Sequence, residues 1–346
     1  MKESMNMSRY LTKSLLLLGF AVVICCIAYP LAVLGTGQLL FPFQANGSIL
    51  KGPDGKAVGS QLIAQPFTKD EYFWPRPSAA GSGYDASASS SSSLAPSNYA
   101  LRNRVAQMLG PIVTYRSGAK AGQLVAPDIE GWFQKDIYQG SPHIVAQWAS
   151  LHPAIAQGWV TSDPSHAAFV DVWAKAHSAV VAQFIKDNPG TPKPQAADLA
   201  GVFFTLFSSE HPGTFPSAVI ETDSAGKTVT SIKPVGTGSD VQSLFFDMWR
   251  QDHPDADIAN VPGDYVTTSA SGLDPDITLQ NAEYQIGRVA GKWAHDLNRT
   301  PADMKGEIER LLQKHATAPL GGLAGEKVVN VLVMNLELRN RFGEPQ

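Results

Sequence analysis

The chain has 346 residues, 44% of them apolar and 17% charged, with 27 Lys and Arg against 31 Asp and Glu for a formal net charge of -4. The basic residues are scattered with no stripe, so the electrostatic footprint of a nucleic-acid binder is missing and nucleic acid is not an expected partner. The only two cysteines, Cys25 and Cys26, are neighbours inside an apolar run, which leaves the rest of the chain without a disulfide framework or a thiolate metal site.

In chain order the first element is that run, Ser14 to Leu34, which carries no charge. It is as long as the ~20 residues a helix needs to cross the hydrocarbon core of a bilayer. Lys2, Arg9 and Lys13 precede it against one Glu3, whereas the next twenty or so residues carry only Lys51. The positive-inside rule then places residues 1–13 in the cytoplasm and everything after Leu34 outside it, which in a bacterium is the periplasm. A cleaved signal peptide is disfavoured, because the run is too long and Ala28-Tyr29-Pro30-Leu31 lacks a small-x-small site. A lipoprotein is disfavoured by the bulky Val23 and Ile24 before the cysteines. In the membrane, the small residues Gly19, Ala21 and Ala28 are expected to pack on a partner helix, with lipid elsewhere and with Pro30 bending the outer end.

About 310 residues remain, enough for two ordinary domains. Residues 35–98 read mostly as loop, with a strand candidate at Gly59 to Ala64 and a flexible serine run from Ser89 to Ser93. Ser97 is the expected N-cap of a helix to Leu109 with Leu101, Val105, Met108 and Leu109 on one face. From Gly110 to Ile258 the chain is rich in Trp, His and Pro. Two helical stripes are expected there: Phe169, Val172, Trp173, Ala176, Val180 and Phe184, then Val241, Leu244, Phe245, Met248 and Trp249. Between them Ala218 to Thr222 and Thr228 to Lys233 flank Asp223-Ser224-Ala225-Gly226 and predict a hairpin.

Further on, a strand is expected at Asp264 to Thr268 and a helix carrying Ala282, Ile286, Val289, Ala290 and Trp293. Thr300-Pro301-Ala302-Asp303 resembles a capping box with Pro at the first helical position, opening a helix with Met304, Ile308, Leu311 and Leu312 inward. Val328 to Leu336, apolar on both faces, predicts a central strand covered on both sides. The fold class expected is α+β, a mixed sheet with helices, anchored by one N-terminal transmembrane helix.

Motifs for catalysis are missing. None of the eight histidines forms an i, i+4 pair with an acid between, no G-x-S-x-G occurs, and Gly321 to Gly325 leads into an expected strand rather than opening a helix around a phosphate. Thr268 to Pro275 packs backbone donors, hydroxyls and a carboxylate into one loop: Ser269, Ser271, Gly272 and Asp274 either grip a ligand or partner or shape a turn, with Asp274 or Thr278 capping the next helix. Local chemistry favours the turn. Trp132, Trp148, Trp159 and Trp173 either line a sugar-binding face or fill a core, and core is the commoner use. Arg76 and Asp85 stand in extended loop, where contact with a partner and plain surface are equally expected.

The order of short motifs says more. Ala28-Tyr29-Pro30-Leu31, Leu40-Phe41-Pro42-Phe43-Gln44-Ala45-Asn46-Gly47-Ser48, Gly59-Ser60-Gln61-Leu62-Ile63 and Gln65-Pro66-Phe67 are followed by Tyr72-Phe73, Arg76-Pro77-Ser78 and Pro96-Ser97-Asn98. Thr267 to Pro275 and Val329-Asn330-Val331 through Asn335-Leu336 complete the series. Together they resemble the C subunit of the Kdp potassium-transporting ATPase, over about residues 11–109 and 262–338.

The resemblance implies a bacterial inner-membrane complex that imports K+ at the expense of ATP, with this chain as a non-catalytic accessory subunit. A channel-like subunit and a P-type ATPase subunit would be its partners. ATP and K+ would be handled by the complex rather than bound as cofactors by this chain, and the subunit would raise the ATP affinity of the ATPase subunit. Loops expected to meet partners hold Gln44, Asn46, Gly47, Arg76 and Asn98 together with Ser269, Ser271, Gly272 and Asp274. Two departures stand out. Tyr84-Asp85 is followed by serines where the family has glycines. Residues 110–258 stand where a short connection belongs, an inserted subdomain between family-like parts at 35–109 and 259–346. The competing reading is a membrane-tethered periplasmic binding or hydrolytic protein that uses the Trp-rich insertion.

Overall fold

The computed structural model describes residues 2–343 apart from 53, 223–225, 227 and 324. The chain divides into two compact units, one made of Met1–Ser92 with Thr267–Gln346 and the other of Ser93–Val266.

The first unit begins with a single long apolar helix. It runs α-helical over Lys2–Val22, loosens into a π-helical stretch at Val23–Ala28, and resumes over Tyr29–Leu40. Met7–Leu40 is long and apolar enough to cross a membrane, and the window that qualifies is wholly exposed. Pro30 accounts for the π stretch: it has no N–H for the carbonyl one turn back, and the Tyr29 N–H reaches Ile24 instead, one residue further than in an α-helix. Phe41 then leaves helical geometry, and one short turn, Pro42–Ala45, leads into a hairpin of Ile49–Lys51 and Ala57–Ser60.

The core of this unit is a pair of helices, Leu279–Asp296 and Pro301–His315, with a third at Val331–Phe342. Ile286, Trp293, Met304, Ile308 and Met334 are buried together, and Phe73 from the first half of the chain plugs into them. Thr278 caps the first helix by accepting from the Asn281 N–H, and Thr300 caps the second by accepting from Asp303.

Three expectations in this part are corrected. Only Val328–Asn330 is strand, paired antiparallel with Asp276–Thr278, and the remainder of the expected central strand is the helix Val331–Phe342. Asn330 starts that helix by accepting from the Val333 N–H. Val331, Met334, Asn335 and Leu338 are buried at 3.6-residue spacing, so residues apolar on both faces here belong to a helix enclosed by neighbours. The expected strand at Gly59 to Ala64 lies earlier, at Ala57–Ser60. The expected mixed sheet is replaced by four separate two-stranded pairs among the described residues.

The second unit is mostly helical around an aromatic core. Trp148, Phe133, Phe203, Phe204, Phe215 and Phe245 are fully buried, and Trp148 meets Phe204 and Phe215 edge-on with centroids 5.2 and 5.5 Å apart, the geometry the ring quadrupoles favour. The stripe from Val241 to Trp249 is the inner face of the helix Ser239–Asp252. The stripe from Phe169 to Phe184 is not continuous: His177 separates Pro164–Ala176 from Ser178–Asp187, Val172 and Ala176 are exposed, and Val170 is buried instead.

Asp264 to Thr268 is not a strand, since Gly263–Val266 forms one helical turn after Pro262. The helix Tyr99–Leu109 packs on Ser239–Asp252 and so groups with this unit, and its N-cap is Asn98, one residue beyond the expected Ser97. The hairpin forms between Phe215–Thr222 and Thr228–Val235, while Asp223, Ser224 and Ala225 of its expected turn lie outside the described residues.

Candidate functional site

Five of the residues singled out by sequence come together in the first unit. Arg76 reaches across to the loop 268–274: its guanidinium donates to the Thr268 carbonyl at 3.1 Å and stands 3.5 Å from the Asp274 carboxylate. Beside it the Ser78 hydroxyl donates to the Gly272 carbonyl at 2.6 Å and accepts from the Tyr84 N–H at 2.8 Å. The Tyr84 hydroxyl donates back to the Arg76 carbonyl at 2.8 Å. Burial pushes the Tyr84 phenol up to about 12, so it stays a neutral donor at any physiological pH.

Gly272 is at the centre, with φ +70, and a Cβ there would come within 2.6 Å of the Ser90 carbonyl oxygen and 2.8 Å of the Ala80 nitrogen. Ser269 is buried, and its hydroxyl accepts from the Asp274 N–H at 3.4 Å. The serine run is not a free loop here. The Ser90 N–H and the Ser89 hydroxyl both donate to the Ser271 carbonyl, and the Thr268 hydroxyl donates to that of Ser92 at 3.1 Å. Asp85, partly exposed, accepts from both the N–H and the hydroxyl of Ser87, bonds that hold its carboxyl below the usual range.

A second set of contacts, invisible as a motif, holds the same strap. Asn335 accepts from the Phe73 N–H at 2.8 Å and donates to the Phe73 carbonyl at 2.9 Å. Gln285 does the same for Trp74 at 2.7 and 3.1 Å. A carboxamide offers one acceptor and a donor pair, so each of these side chains stands in for a neighbouring β-strand. Arg288 covers the Trp74 ring at 3.9 Å while donating to the carbonyls of Asp70 and Tyr72. Trp293 donates its indole N–H to the Glu71 carbonyl at 2.9 Å. Gln285 and Asn335 are both buried polar residues, and no motif in the sequence marks them.

The other predicted residues lie elsewhere. Gln44, Asn46 and Gly47 belong to the turn after the long helix, where the Gln38 and Asn46 amides pair at 3.2 Å. Asn98 is in the other unit, spent on capping its helix. Gly19, Ala21, Ala28 and Pro30 are exposed along the apolar helix. The four tryptophans singled out by sequence, Trp132, Trp148, Trp159 and Trp173, are all core residues of the second unit. In the cluster around Gly272 the polar groups bind backbone and one another, an arrangement that sets a rigid surface rather than aiming a nucleophile or a base. Among the described residues there is no group of three His, Cys, Asp or Glu side chains able to hold a metal.

The order of these features along the chain is that of a known family, whose model, described as KdpC, K+-transporting ATPase, c chain, matches residues 11–128 and 240–340. The chain belongs to the KdpC family. Among curated relatives, each called a potassium-transporting ATPase KdpC subunit, the protein of Caulobacter vibrioides is 54% identical over 99 residues, 29% of this chain and 50% of the relative. That of Myxococcus xanthus is 41% identical over 143 residues, 40% of this chain and 64% of the relative. That of Rhodospirillum rubrum is 39% identical over 160 residues, 44% of this chain and 77% of the relative. The chain thus spans about half the length of the Caulobacter relative. The KdpC match takes in the apolar helix from residue 11, the Arg76 strap, the Gly272 loop and the helices that clamp them, and leaves 129–239 unmatched.

Proposed function

We propose that this KdpC-family chain is the single-pass, non-catalytic accessory subunit of an ATP-driven potassium importer. The observation that carries the reading is the family match on both sides of an unmatched middle. In this reading a P-type ATPase subunit and a channel-like subunit are the partners, and they handle ATP and K+. The charge asymmetry around the long helix supports a cytoplasmic N-terminus and a periplasmic C-terminal part.

That orientation keeps the bulk of the chain away from the nucleotide side. Its physical role is therefore assembly and stabilisation of the complex, and any rise in the ATP affinity of the ATPase subunit passes through the transmembrane helix and needs a two-state element there. The surface around Arg76, Ser269, Ser271, Gly272 and Asp274 suits a fixed docking face, because it is pinned at both its strap and its loop. Gln44, Asn46 and Gly47 flank the helix exit and form a second contact region. Residues 129–239, which the family match skips, are read as an inserted part narrower than the 110–258 expected from the sequence, and the burial of Trp132, Trp148, Trp159 and Trp173 counts against a sugar-binding face there.

The test is to tag the C-terminus, extract native membranes in mild detergent and identify what copurifies. Recovery of a P-type ATPase together with a channel-like subunit is the expected result; a solitary, stable chain contradicts the assignment.

A further inference from the structure

The long helix does not stop where the hydrocarbon needs it to. No charged residue occurs between Lys13 and Lys51, and the helix continues through Leu40. From Ser14 to Leu40 it rises about 40 Å at 1.5 Å per residue. That exceeds the ~30 Å hydrocarbon core and matches the ~40–45 Å of a bilayer with its headgroups. Leu40 therefore falls at the far headgroup layer, and there the chain turns.

What it presents at that level is apolar and uncovered. Leu39 is 81% exposed, Leu40 60%, Phe41 59% and Phe43 43%. Phe41 takes φ -137 and ψ 56, and Pro42 opens the one-turn helix to Ala45, so the chain is redirected there instead of continuing straight. The turn is stiff. Asn46 pairs with Gln38 and donates to the Pro42 carbonyl at 2.6 Å, and the buried Ser48 donates its N–H to the Phe43 carbonyl at 3.0 Å. The Ser60 hydroxyl then ties Gly47 to the first hairpin at 2.7 Å. A cluster of uncovered large apolar side chains is unusual on a water-facing surface.

We infer that residues 39–43 are an interfacial foot that rests in the lipid headgroup layer on the side of the soluble part, with Leu39, Leu40, Phe41 and Phe43 dipping toward the acyl chains. The occupant is lipid rather than a partner protein, because the uncharged stretch runs unbroken from the membrane span into the foot. The helix length also sets the foot at headgroup depth without any other chain. The foot rests on the reading of the long helix as membrane-spanning, and it adds a mechanical consequence: the rigid turn fixes how the first hairpin stands over the bilayer.

Depth measurement by spin labelling separates the two ideas. In full-length chain carrying Cys25→Ala and Cys26→Ala, single substitutions Ile24→Cys, Phe41→Cys, Phe43→Cys and Leu62→Cys are labelled with a nitroxide. The proteins are then reconstituted in vesicles of phosphatidylethanolamine and phosphatidylglycerol. Collision rates with oxygen, which concentrates in lipid, and with a water-soluble nickel chelate are compared. The expected result is oxygen dominant several-fold at 24, nickel dominant at 62, and 41 and 43 on the oxygen side of the balance between them. Nickel dominance at 41 and 43 with oxygen still dominant at 24 overturns the foot and leaves the span intact. Nickel dominance at 24 sinks the span itself. Labels at 41 and 43 shielded from both reagents once the chain is in its complex show that protein covers the patch, which also overturns the inference.

Discussion

Gly272 is the residue on which the loop 268–274 turns. A side chain there meets backbone atoms of both Ser90 and Ala80 at less than 3 Å and forces an L-residue into φ +70. Gly272→Ala is expected to lower stability by about 1–3 kcal/mol, read as a fall in the denaturant midpoint of the detergent-solubilised chain; an unchanged midpoint means the strap is not closed over the loop. Asp276, half-buried at the edge of the same region, makes the opposite kind of statement. Burial pushes its carboxyl above the usual range, the bond from Asn330 opposes this, and the charge of Asp274 adds to the rise. A raised folded-state pKa means the fold binds that proton more tightly than the unfolded chain. The penalty is then complete above the raised value and disappears as pH falls to the ordinary carboxylate range near about 4. Asp276→Asn keeps an oxygen for the Asn330 amide. It is expected to match or exceed the parent in stability at pH 7 and to lose that advantage at pH 4, and a deficit at pH 7 contradicts the account.

At the scale of elements, the long helix offers a clean probe of assembly. An added Cβ at Gly19 meets nothing within 4 Å in the chain itself, so Gly19→Leu disturbs only what packs against the helix from outside. Close approach of backbones is what associates helices in lipid. The variant is expected to release its partners at lower detergent concentration than the parent on size-exclusion chromatography; identical behaviour shows that this face is turned to lipid. The elements most legible in the sequence were those with both a stripe and a cap, such as the helices after Thr278 and Thr300. Val328 to Leu336 misled because enclosure on several sides erases the polar face that reveals a helix, and the one available sign was Asn330 in a capping position. Asp264 to Thr268 is too short for periodicity to choose between strand and turn. The clamps by Gln285 and Asn335 were out of reach for another reason: their partners lie 211 and 262 residues away. The Gly272 loop, whose chemistry is local, was found together with the turn-shaping alternative. Its meeting with Arg76 was not readable from either segment alone.

For the whole molecule, the chain leaves the first unit at Ser92 and re-enters it at Thr267, and the hydroxyls of Ser92 and Thr268 are 3.1 Å apart. A compact unit whose two ends leave its neighbour this close together costs that neighbour little, because the loop-closure term grows only slowly with length. Replacing 93–266 with a short Gly-Ser linker is expected to leave the first unit with a single cooperative thermal transition; a chain that no longer folds shows that the second unit is part of the first unit's stability. The remaining claim is that the family-like unit serves a potassium-pumping ATPase. It is tested most directly by K+-stimulated ATP hydrolysis in membranes from cells lacking only this chain, with and without the full-length chain restored. The account predicts that stimulation by K+ is lost without the chain and returns with it. Stimulation of equal size in its absence would contradict the assignment.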